Sequence, residues 1–144
     1  VAHSRLTSPP PDLNSDRLDL THLKTYTIDD ESTREIDDGL SLEYLPDGTE
    51  RLWIHIADPS RWVEPGDELD LEARRRSTTL YLPTGMIPMF PSDLATGPMS
   101  LVQGRVCCAL SFAVILSPEG VIQDYSIHAS LIKATYRLTY EDVD

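Results

Sequence analysis

The chain has 144 residues, of which 24 are acidic and 12 are basic, so its formal net charge at pH 7 is −12. The 40% of hydrophobic residues suffice for the core of one domain, and no apolar run approaches the roughly 20 residues that cross a bilayer. The two cysteines, Cys107 and Cys108, are adjacent, which indicates buried thiols in a reducing compartment. Composition therefore argues against a membrane-spanning, secreted or disulfide-stapled protein.

The acid excess is concentrated in one part of the chain. Residues 29–50 hold nine acidic residues and one basic residue, whereas residues 73–144 hold six of each. A uniformly acidic surface would repel the phosphates of a nucleic acid. A local concentration instead indicates either a solvated acidic face or a site that binds cations.

The first half of the chain predicts strands after a proline-rich start. Residues 1–19 include three consecutive prolines and predict an extended lead-in or linker. Order is predicted to begin near Leu20, and residues 26–28 favour a strand. Apolar and polar residues then alternate over 40–44, and a second apolar segment covers 52–57 after a Pro-Asp-Gly turn. These two segments predict a β-hairpin.

The second half predicts one helix and a further hairpin. Good helix formers over 67–77 predict a short helix, and the prolines of 83–98 predict irregular structure. Two β-favouring segments, 107–116 and 121–131, flank a Pro-Glu-Gly turn, and a helical pattern begins at Tyr140. The predicted fold class is α+β, centred on an antiparallel sheet with few helices.

The acidic stretch 29–38 contains six carboxylates in ten positions. If these side chains converged, their repulsion would raise their pKa values and destabilise the fold. Divalent cations would make convergence favourable, and Mg²⁺ binds carboxylate oxygens while keeping positions for water and phosphate. A pair of such ions can activate water and stabilise the leaving oxygen of a phosphodiester. On composition alone a solvated acidic loop is the simpler interpretation, and both remain open at this point.

Two other kinds of metal site fit the sequence poorly. A calcium loop beginning at Asp29 would need Gly where Arg34 stands and Glu where Leu40 stands. Zinc-ligand spacing is missing because the histidines are scattered, at His3, His22, His55 and His128.

Residues 27–38 resemble the acidic signature of the ribonuclease II/ribonuclease R catalytic domain, the RNB domain. Six further blocks resemble that family in the same order: Trp53-Ile54-His55-Ile56-Ala57-Asp58-Pro59, Leu69-Asp70 with Glu72-Ala73-Arg74, Thr79-Leu80-Tyr81-Leu82-Pro83, Pro88-Met89-Phe90-Pro91, Ser100-Leu101 and Arg137-Leu138-Thr139-Tyr140. One acidic motif would be weak, whereas ordered blocks at consistent spacing are specific. Residues 36–40 and 74–76 look most like ribonuclease-R-type enzymes of cyanobacteria and plastids.

The resemblance implies a function. Members of this family are Mg²⁺-dependent hydrolytic exoribonucleases that degrade single-stranded RNA from its 3′ end and release nucleoside 5′-monophosphates. The runner-up hypothesis is a catalytically inactive homologue that binds RNA or a protein partner as a scaffold. A scaffold has no need to hold four repelling carboxylates together, which favours the enzyme.

By resemblance, the four acids of the family's active site correspond to Asp29, Glu35, Asp37 and Asp38, which are expected to surround Mg²⁺. Asp29 and Asp38 match direct Mg²⁺ ligands, and Asp37 matches the acid that is indispensable for catalysis. Glu35 stands where many bacterial members have Asp, and it is expected to take part in both catalysis and metal binding. The acids at positions 30 and 31 match no family acid and are expected to be surface charges.

Two residues are candidates for RNA binding. Tyr81 matches a family aromatic that packs against the 3′-terminal bases, and the alternative for it is an ordinary core tyrosine. Arg76 matches a family arginine, whereas Arg74 and Arg75 are expected to lie on a solvated face. The two tryptophans have no assigned RNA role and are expected in the core.

The family domain is considerably longer than this chain. Residues 20–144 are therefore expected to be the N-terminal portion of an RNB catalytic domain and to be inactive by themselves. The expected location is the cytoplasm, or a plastid if the source is a plant or an alga, with no membrane partner.

Overall fold

The structure is a computed structural model that describes residues 16–144, so residues 1–15 of the predicted lead-in lie outside the described part. The strands are β1 (Leu18–Asp19), β2 (Thr25–Asp29), β3 (Asp38–Tyr44), β4 (Glu50–Ala57), β5 (Leu80–Leu82), β6 (Gly85–Ile87), β7 (Val106–Leu116) and β8 (Ile122–Thr139). The helices are α1 (Glu68–Arg76), α2 (Ser92–Ala95) and α3 (Tyr140–Val143), with a 3-10 turn at Pro59–Trp62. The predicted α+β class, dominated by sheet, is confirmed. Within residues 16–144, no helix combines the length and hydropathy needed to cross a bilayer.

Five strands close into a barrel because β8 pairs on both sides. The order is β8-β2-β3-β4-β7, and β7 pairs again with β8. The two predicted hairpins are present as β3–β4 and β7–β8, both antiparallel. However, β8 continues to Thr139, beyond the predicted end at residue 131, and its last part pairs with β2 in parallel. β8 can be 18 residues long because its first part pairs with β7 and its last part with β2. The local sequence does not reveal this change of partner.

Order begins earlier than the predicted boundary at Leu20. Leu18 and Asp19 form β1, which pairs in parallel with β8. The Arg17 guanidinium donates to a carboxylate oxygen of Asp58 at 2.6 Å, and both side chains are buried. It also donates to the carbonyl oxygens of Ala109 and Ser130. Removing one partner of a buried ion pair is strongly destabilising, so this contact attaches the chain before Leu20 to the barrel.

The barrel interior combines a tryptophan with aliphatic and small side chains. Trp53 on β4 is 3% exposed, which confirms its predicted place in the core. It belongs to a core cluster that includes Ala109 and Ala113 on β7 together with larger aliphatic residues such as Ile132 on β8. A Cβ atom at Gly39 would lie 3.2 Å from both Thr25 Cγ2 and the Tyr26 carbonyl oxygen. Glycine therefore permits β2 and β3 to approach closely beside the acidic loop.

A chain of hydrogen bonds runs through the interior and uses one side chain from each barrel strand: Thr25, Ser41, His55, Ser111 and Ser130. Successive polar atoms lie 2.9, 2.9, 2.6 and 2.5 Å apart, and His55 bonds through both ring nitrogens. All five side chains are buried. Burial lowers the pKa of His55 from 6.5 to about 4. The neutral imidazole is therefore part of the folded core.

The helix and a second small core lie beside the barrel. Leu69 of α1 packs with Leu94 and Met99. The carboxylate of Asp67 accepts the Asp70 N–H at the start of α1, and Ser77 ends it in the left-handed conformation at φ 68°. The predicted helix at 67–77 is confirmed. The stretch 83–98, predicted as irregular, contains β6 and α2, which are too short to show a hydrophobic period.

We expect the contribution of His55 to the stability of the fold to be lost as the pH is lowered from 6.5 toward 4. The unfolded chain binds a proton at His55 near pH 6.5, whereas the folded chain resists protonation until about pH 4. Stability from this residue is therefore complete above pH 6.5 and is lost below it, by about 3 kcal/mol in total. Urea denaturation at several pH values, followed by tryptophan fluorescence, measures the slope. His55→Gln should remove that slope whatever its absolute stability, and the exposed control His22→Gln should keep it.

Candidate active site

The sheet brings the two ends of the acidic loop to one edge. Asp29 is the last residue of β2, and Asp38 is the first residue of β3. These strands are antiparallel neighbours, so the end of one lies beside the beginning of the other. The connecting residues 30–37 carry Glu35 and Asp37. The structure therefore places all four predicted metal-site acids at the same edge of the barrel.

Burial of Ile36 aims two of these acids outward. Ile36 is 4% exposed, its N–H donates to Ser100 Oγ at 2.9 Å, and its carbonyl accepts the Leu101 N–H at 2.9 Å. Residues on either side of an inward-pointing residue in an extended segment point the other way. Glu35 and Asp37 accordingly line the same cavity, of about 410 Å³. We call it the methionine cavity, because Met89 and Met99 form part of its wall.

The acids raise one another's pKa values. Burial raises the pKa of Asp29, with a further contribution from Asp38 and an opposing one from Arg137. Burial and the neighbouring Asp37 carboxylate raise the pKa of Glu35. The pKa of Asp37 is raised by burial and then by Asp38 and Asp29. The positive charges near these acids therefore do not compensate for the burial and repulsion that destabilise the ionised carboxylates.

Two carboxylate oxygens in the described part of the chain are buried and accept no hydrogen bond, namely Asp29 Oδ2 and Glu35 Oε2. A buried acceptor without a partner is costly, and a hard divalent cation takes such oxygens as ligands. Among residues 16–144, no three His, Cys, Asp or Glu side chains already converge on one point as a metal cage would. The carboxylates and their unsatisfied oxygens are therefore suitable ligands for Mg²⁺. Their positions, however, do not yet form a complete coordination site.

Arg137 of β8 fastens the acidic loop to the barrel. Its Nη2 donates to the carbonyl oxygens of Glu31 at 3.3 Å and Thr33 at 2.5 Å. The same guanidinium opposes the rise in the pKa of Asp29. Sequence reasoning did not single out this residue for the site, because it lies more than 100 positions along the chain from its partners.

Tyr81 of β5 lies at the methionine cavity, with its side chain exposed rather than in the core. The residue is 69% exposed and lines the cavity together with Glu35 and Asp37. Burial and then the charges of the nearby acids raise its pKa. Within the described residues, Tyr81 is therefore not part of the core. The ring is free to contact a molecule bound at the acids.

Thr79 connects the acids with the segment that carries Tyr81. Its hydroxyl oxygen accepts the Met89 N–H at 3.1 Å. The hydroxyl proton remains available for Glu35, and a hydrogen bond from Thr79 partly offsets the raised pKa of that acid. Thr79 belongs to one of the blocks that resemble the family, but sequence reasoning alone does not assign it to the site.

Arg76 is not brought to the acids. It donates to Glu72 Oε1 at 2.7 Å and to the carbonyl oxygen of Pro88 at 2.9 Å, and it lines neither cavity beside Glu35. Its contacts attach the end of α1 to the segment that follows β6. Arg74 and Arg75 pair with acids on the exposed surface of α1, as predicted. RNA binding by Arg76 stays a prediction.

Comparison with known proteins identifies the family. The family model described as the RNB domain matches residues 17–144. The chain belongs to the RNB family. The resemblance noted in the sequence is therefore confirmed over nearly the whole chain.

Relatives of the RNB chain occur in cyanobacteria and plants. It is 69% identical over its full length to an uncharacterised ribonuclease of Synechocystis sp., and it covers 22% of that protein. It is 53% identical over 125 residues to the chloroplastic/mitochondrial ribonuclease II of Arabidopsis thaliana, covering 87% of this chain and 16% of that one. The chain thus spans about a fifth of the length of such relatives.

Solved structures share the fold. Mycoplasma genitalium RNase R in complex with double-stranded RNA matches with a TM-score of 0.88 at 25% identity, over 99% of this chain and 26% of that chain. Yeast Ssd1, described as a pseudonuclease, matches with a TM-score of 0.80 at 23% identity, over 89% of this chain and 16% of its own. The fold therefore occurs in an RNA-bound RNase R and in a pseudonuclease.

We expect Glu35→Gln to stabilise the RNB chain at neutral pH when divalent cations are removed. The pKa of Glu35 is raised above 4.5, so its contribution to stability is present at low pH and is lost as the pH rises and the side chain ionises. Urea denaturation at about pH 7 should show a higher midpoint for the variant, and at about pH 3.5 little difference.

The matched control is Glu31→Gln, which removes the same charge from the exposed turn of the same loop. Its midpoint at neutral pH should change less than that of Glu35→Gln. Equal effects of the two substitutions would show that only the overall charge matters.

Proposed function

We propose that the RNB chain carries the acidic part of the active site of a 3′→5′ exoribonuclease. Its substrate is single-stranded RNA, and its products are nucleoside 5′-monophosphates. The observation that carries the proposal is the group of four acids at one barrel edge, with unsatisfied buried oxygens on Asp29 and Glu35. The relatives named as ribonuclease II and exoribonuclease 2 support it.

Asp29, Glu35, Asp37 and Asp38 are the residues that would hold Mg²⁺. When bound, the metal supplies an activated water and stabilises the leaving oxygen of the phosphodiester. Hydrolysis adds water across the scissile linkage: the P–O3′ bond breaks, the shortened strand keeps its 3′-hydroxyl, and the released nucleotide keeps the 5′-phosphate. Loss of one terminal nucleotide in each step requires the 3′ end to be held at the acids.

The residues around the acids provide the positioning. Ile36 fixes the backbone from which Glu35 and Asp37 project, and Arg137 fixes the loop before them. The exposed ring of Tyr81 faces the same cavity and can stack on a terminal base without reading its identity. Met89, Phe90 and Met99 form an apolar wall of the methionine cavity beside the acids. These residues orient the RNA strand, whereas the acids act at the P–O3′ bond that is hydrolysed.

A catalytically inactive scaffold is the alternative, and the fold alone does not exclude it, since yeast Ssd1 shares the fold. The four mutually repelling acids favour the enzyme, because each raised pKa is a cost that a scaffold would have no reason to retain. For location, we propose the bacterial cytoplasm or a plastid, in agreement with the sources of the relatives.

Asp37→Asn in the full-length protein that carries this chain tests the proposal. The variant should lower the hydrolysis rate of a single-stranded RNA by at least about 10²-fold, because it removes an acid that serves the transition state. Its affinity for RNA should change little, since base and phosphate contacts elsewhere hold the strand. Both quantities are measured with a labelled oligonucleotide, by gel and by fluorescence anisotropy.

Asp30→Asn is the control for that experiment. Asp30 lies in the same loop but accepts hydrogen bonds from Ser32 on the exposed turn, so hydrolysis should remain near the wild-type rate. Wild-type activity should also disappear with EDTA and return with Mg²⁺. An Asp37→Asn enzyme that hydrolyses RNA at the wild-type rate would refute the active-site assignment.

Tyr81→Ala in the full-length protein should change the length of the smallest RNA fragment that resists digestion more than it changes the rate on long RNA. A stacked base contributes roughly 1–3 kcal/mol, which decides where a shortening strand dissociates. Tyr81→Phe should leave the end product unchanged. Because the side chain is 69% exposed, the melting temperature should hardly change for either variant. An unchanged end product for Tyr81→Ala would remove Tyr81 from the RNA path.

A further inference from the structure

A second cavity lies on the other side of Glu35 and Tyr81. It has a volume of about 400 Å³ and lies between the acidic loop, the β5–β6 hairpin and α2. We call it the arginine cleft, because Arg34 is the cationic residue in its lining. Glu35 and Tyr81 line both this cleft and the methionine cavity. The two spaces therefore adjoin each other at Glu35 and Tyr81.

The cleft offers the chemistry of an anion site. Its other polar walls include the hydroxyl-bearing residues Ser32, Thr33, Ser92 and Thr96. The hydroxyl groups of Ser32 and Thr96 already donate to Asp30 and to the Ser92 carbonyl. Arg34 is exposed and forms no ion pair within residues 16–144. An arginine beside hydroxyl groups is suited to a phosphate oxygen pair.

The backbone on both sides of the Arg34 side chain is held in place. The carbonyl oxygen of Thr33 accepts from Arg137 at 2.5 Å, and that of Arg34 accepts from Ser100 Oγ at 3.4 Å. The side chain therefore extends from an anchored segment, which lowers the entropy lost when it binds a ligand.

Two other arginines of the described chain, Arg76 and Arg137, are already bound to protein groups. Arg76 pairs with Glu72, and Arg137 binds two carbonyl oxygens. Residues 29–50, by contrast, carry nine acids and one base, and that base is Arg34. A phosphate approaching this strongly negative edge meets the Arg34 guanidinium, next to Glu35.

We propose that Arg34 binds a backbone phosphate of the RNA strand in the arginine cleft, adjacent to the linkage that is hydrolysed. The inference rests on the proposed function and adds a substrate-positioning residue to it. The phosphate is one that stays in the strand during that step, because the cleft lies beside the acids and not among them. Arg34 thereby offsets the repulsion between the acidic edge and the RNA.

The experiment compares Arg34→Gln with Arg34→Lys and Arg105→Gln in the full-length protein. Arg105 is also an exposed arginine without an ion pair among residues 16–144, and it lines neither cavity. Affinity for a single-stranded RNA is measured at several salt concentrations in an Asp37→Asn background that limits hydrolysis. Arg34→Gln should weaken binding about 3- to 10-fold and reduce the salt slope by about 0.7. Arg34→Lys should retain most of the slope, and Arg105→Gln should keep the wild-type values.

A neutral methylphosphonate linkage, placed in turn at each of the last positions of the RNA, identifies the phosphate. At one position, the neutral linkage should weaken RNA binding by the protein that retains Arg34. The same linkage should cause no further loss of affinity in the Arg34→Gln variant. Equal effects in both proteins would overturn the proposal, as would a wild-type salt slope for Arg34→Gln. The proposal would also be overturned, in favour of a product site, by a different result. In that result Arg34→Gln abolishes competition by a free nucleoside 5′-monophosphate, and the neutral linkage has no effect at any position of the RNA.

The outcomes are distinguishable from failure of the proposed function. If the protein with native Asp37 does not hydrolyse RNA, the proposed function fails whatever Arg34 does. If it hydrolyses RNA and Arg34→Gln binds normally, only the inference about Arg34 fails. The Mg²⁺ concentration for half-maximal rate should be the same with Arg34→Gln, which shows that the substitution did not act through Glu35.

Discussion

The loop between β2 and β3 has to hold four neighbouring carboxylates that repel one another. Burial, and then the proximity of the other carboxylates, raises the pKa values of Asp29, Glu35 and Asp37. The loop is held against this repulsion by the burial of Ile36, whose side chain contributes about 1.5–3 kcal/mol. Hydrogen bonds from Arg137 and to Ser100 add about 1 kcal/mol each. The site is thus held together by its surroundings and not by attraction among the acids.

The barrel supplies those surroundings. Closure by β8 places Arg137 beside the loop that follows β2, and the small interior residues permit the strands to approach closely. The buried hydrogen-bond chain through His55 satisfies every polar group that it places in the interior. Such a network rigidifies a core when all its members are paired. A rigid barrel edge can hold four mutually repelling carboxylates near one another.

The methionine cavity and the arginine cleft share Glu35 and Tyr81, so groups that could bind RNA lie next to the acids. Thr79 links the segment of Tyr81 to Glu35, and Arg76 ties the end of α1 to Pro88 beyond the β5–β6 hairpin. The position of the exposed Tyr81 ring therefore depends on contacts outside the acidic loop. Arg34, on the other side of Glu35, gives the arginine cleft a cationic wall. A strand held at both sides of the acids would present its terminal linkage to them.

The local elements and the order of the acids were determined by the sequence. Alternating polarity and turn residues predicted the hairpins, and helix formers predicted α1, because these patterns act over a few neighbouring positions. Closure of the barrel, the parallel pairing of β8 with β2 and the exposure of Tyr81 were decided only by the tertiary structure. Each depends on which distant segments cover a given face, as when Arg137 reaches Thr33 across more than 100 residues. A residue's own neighbours in sequence carry no record of such a partner.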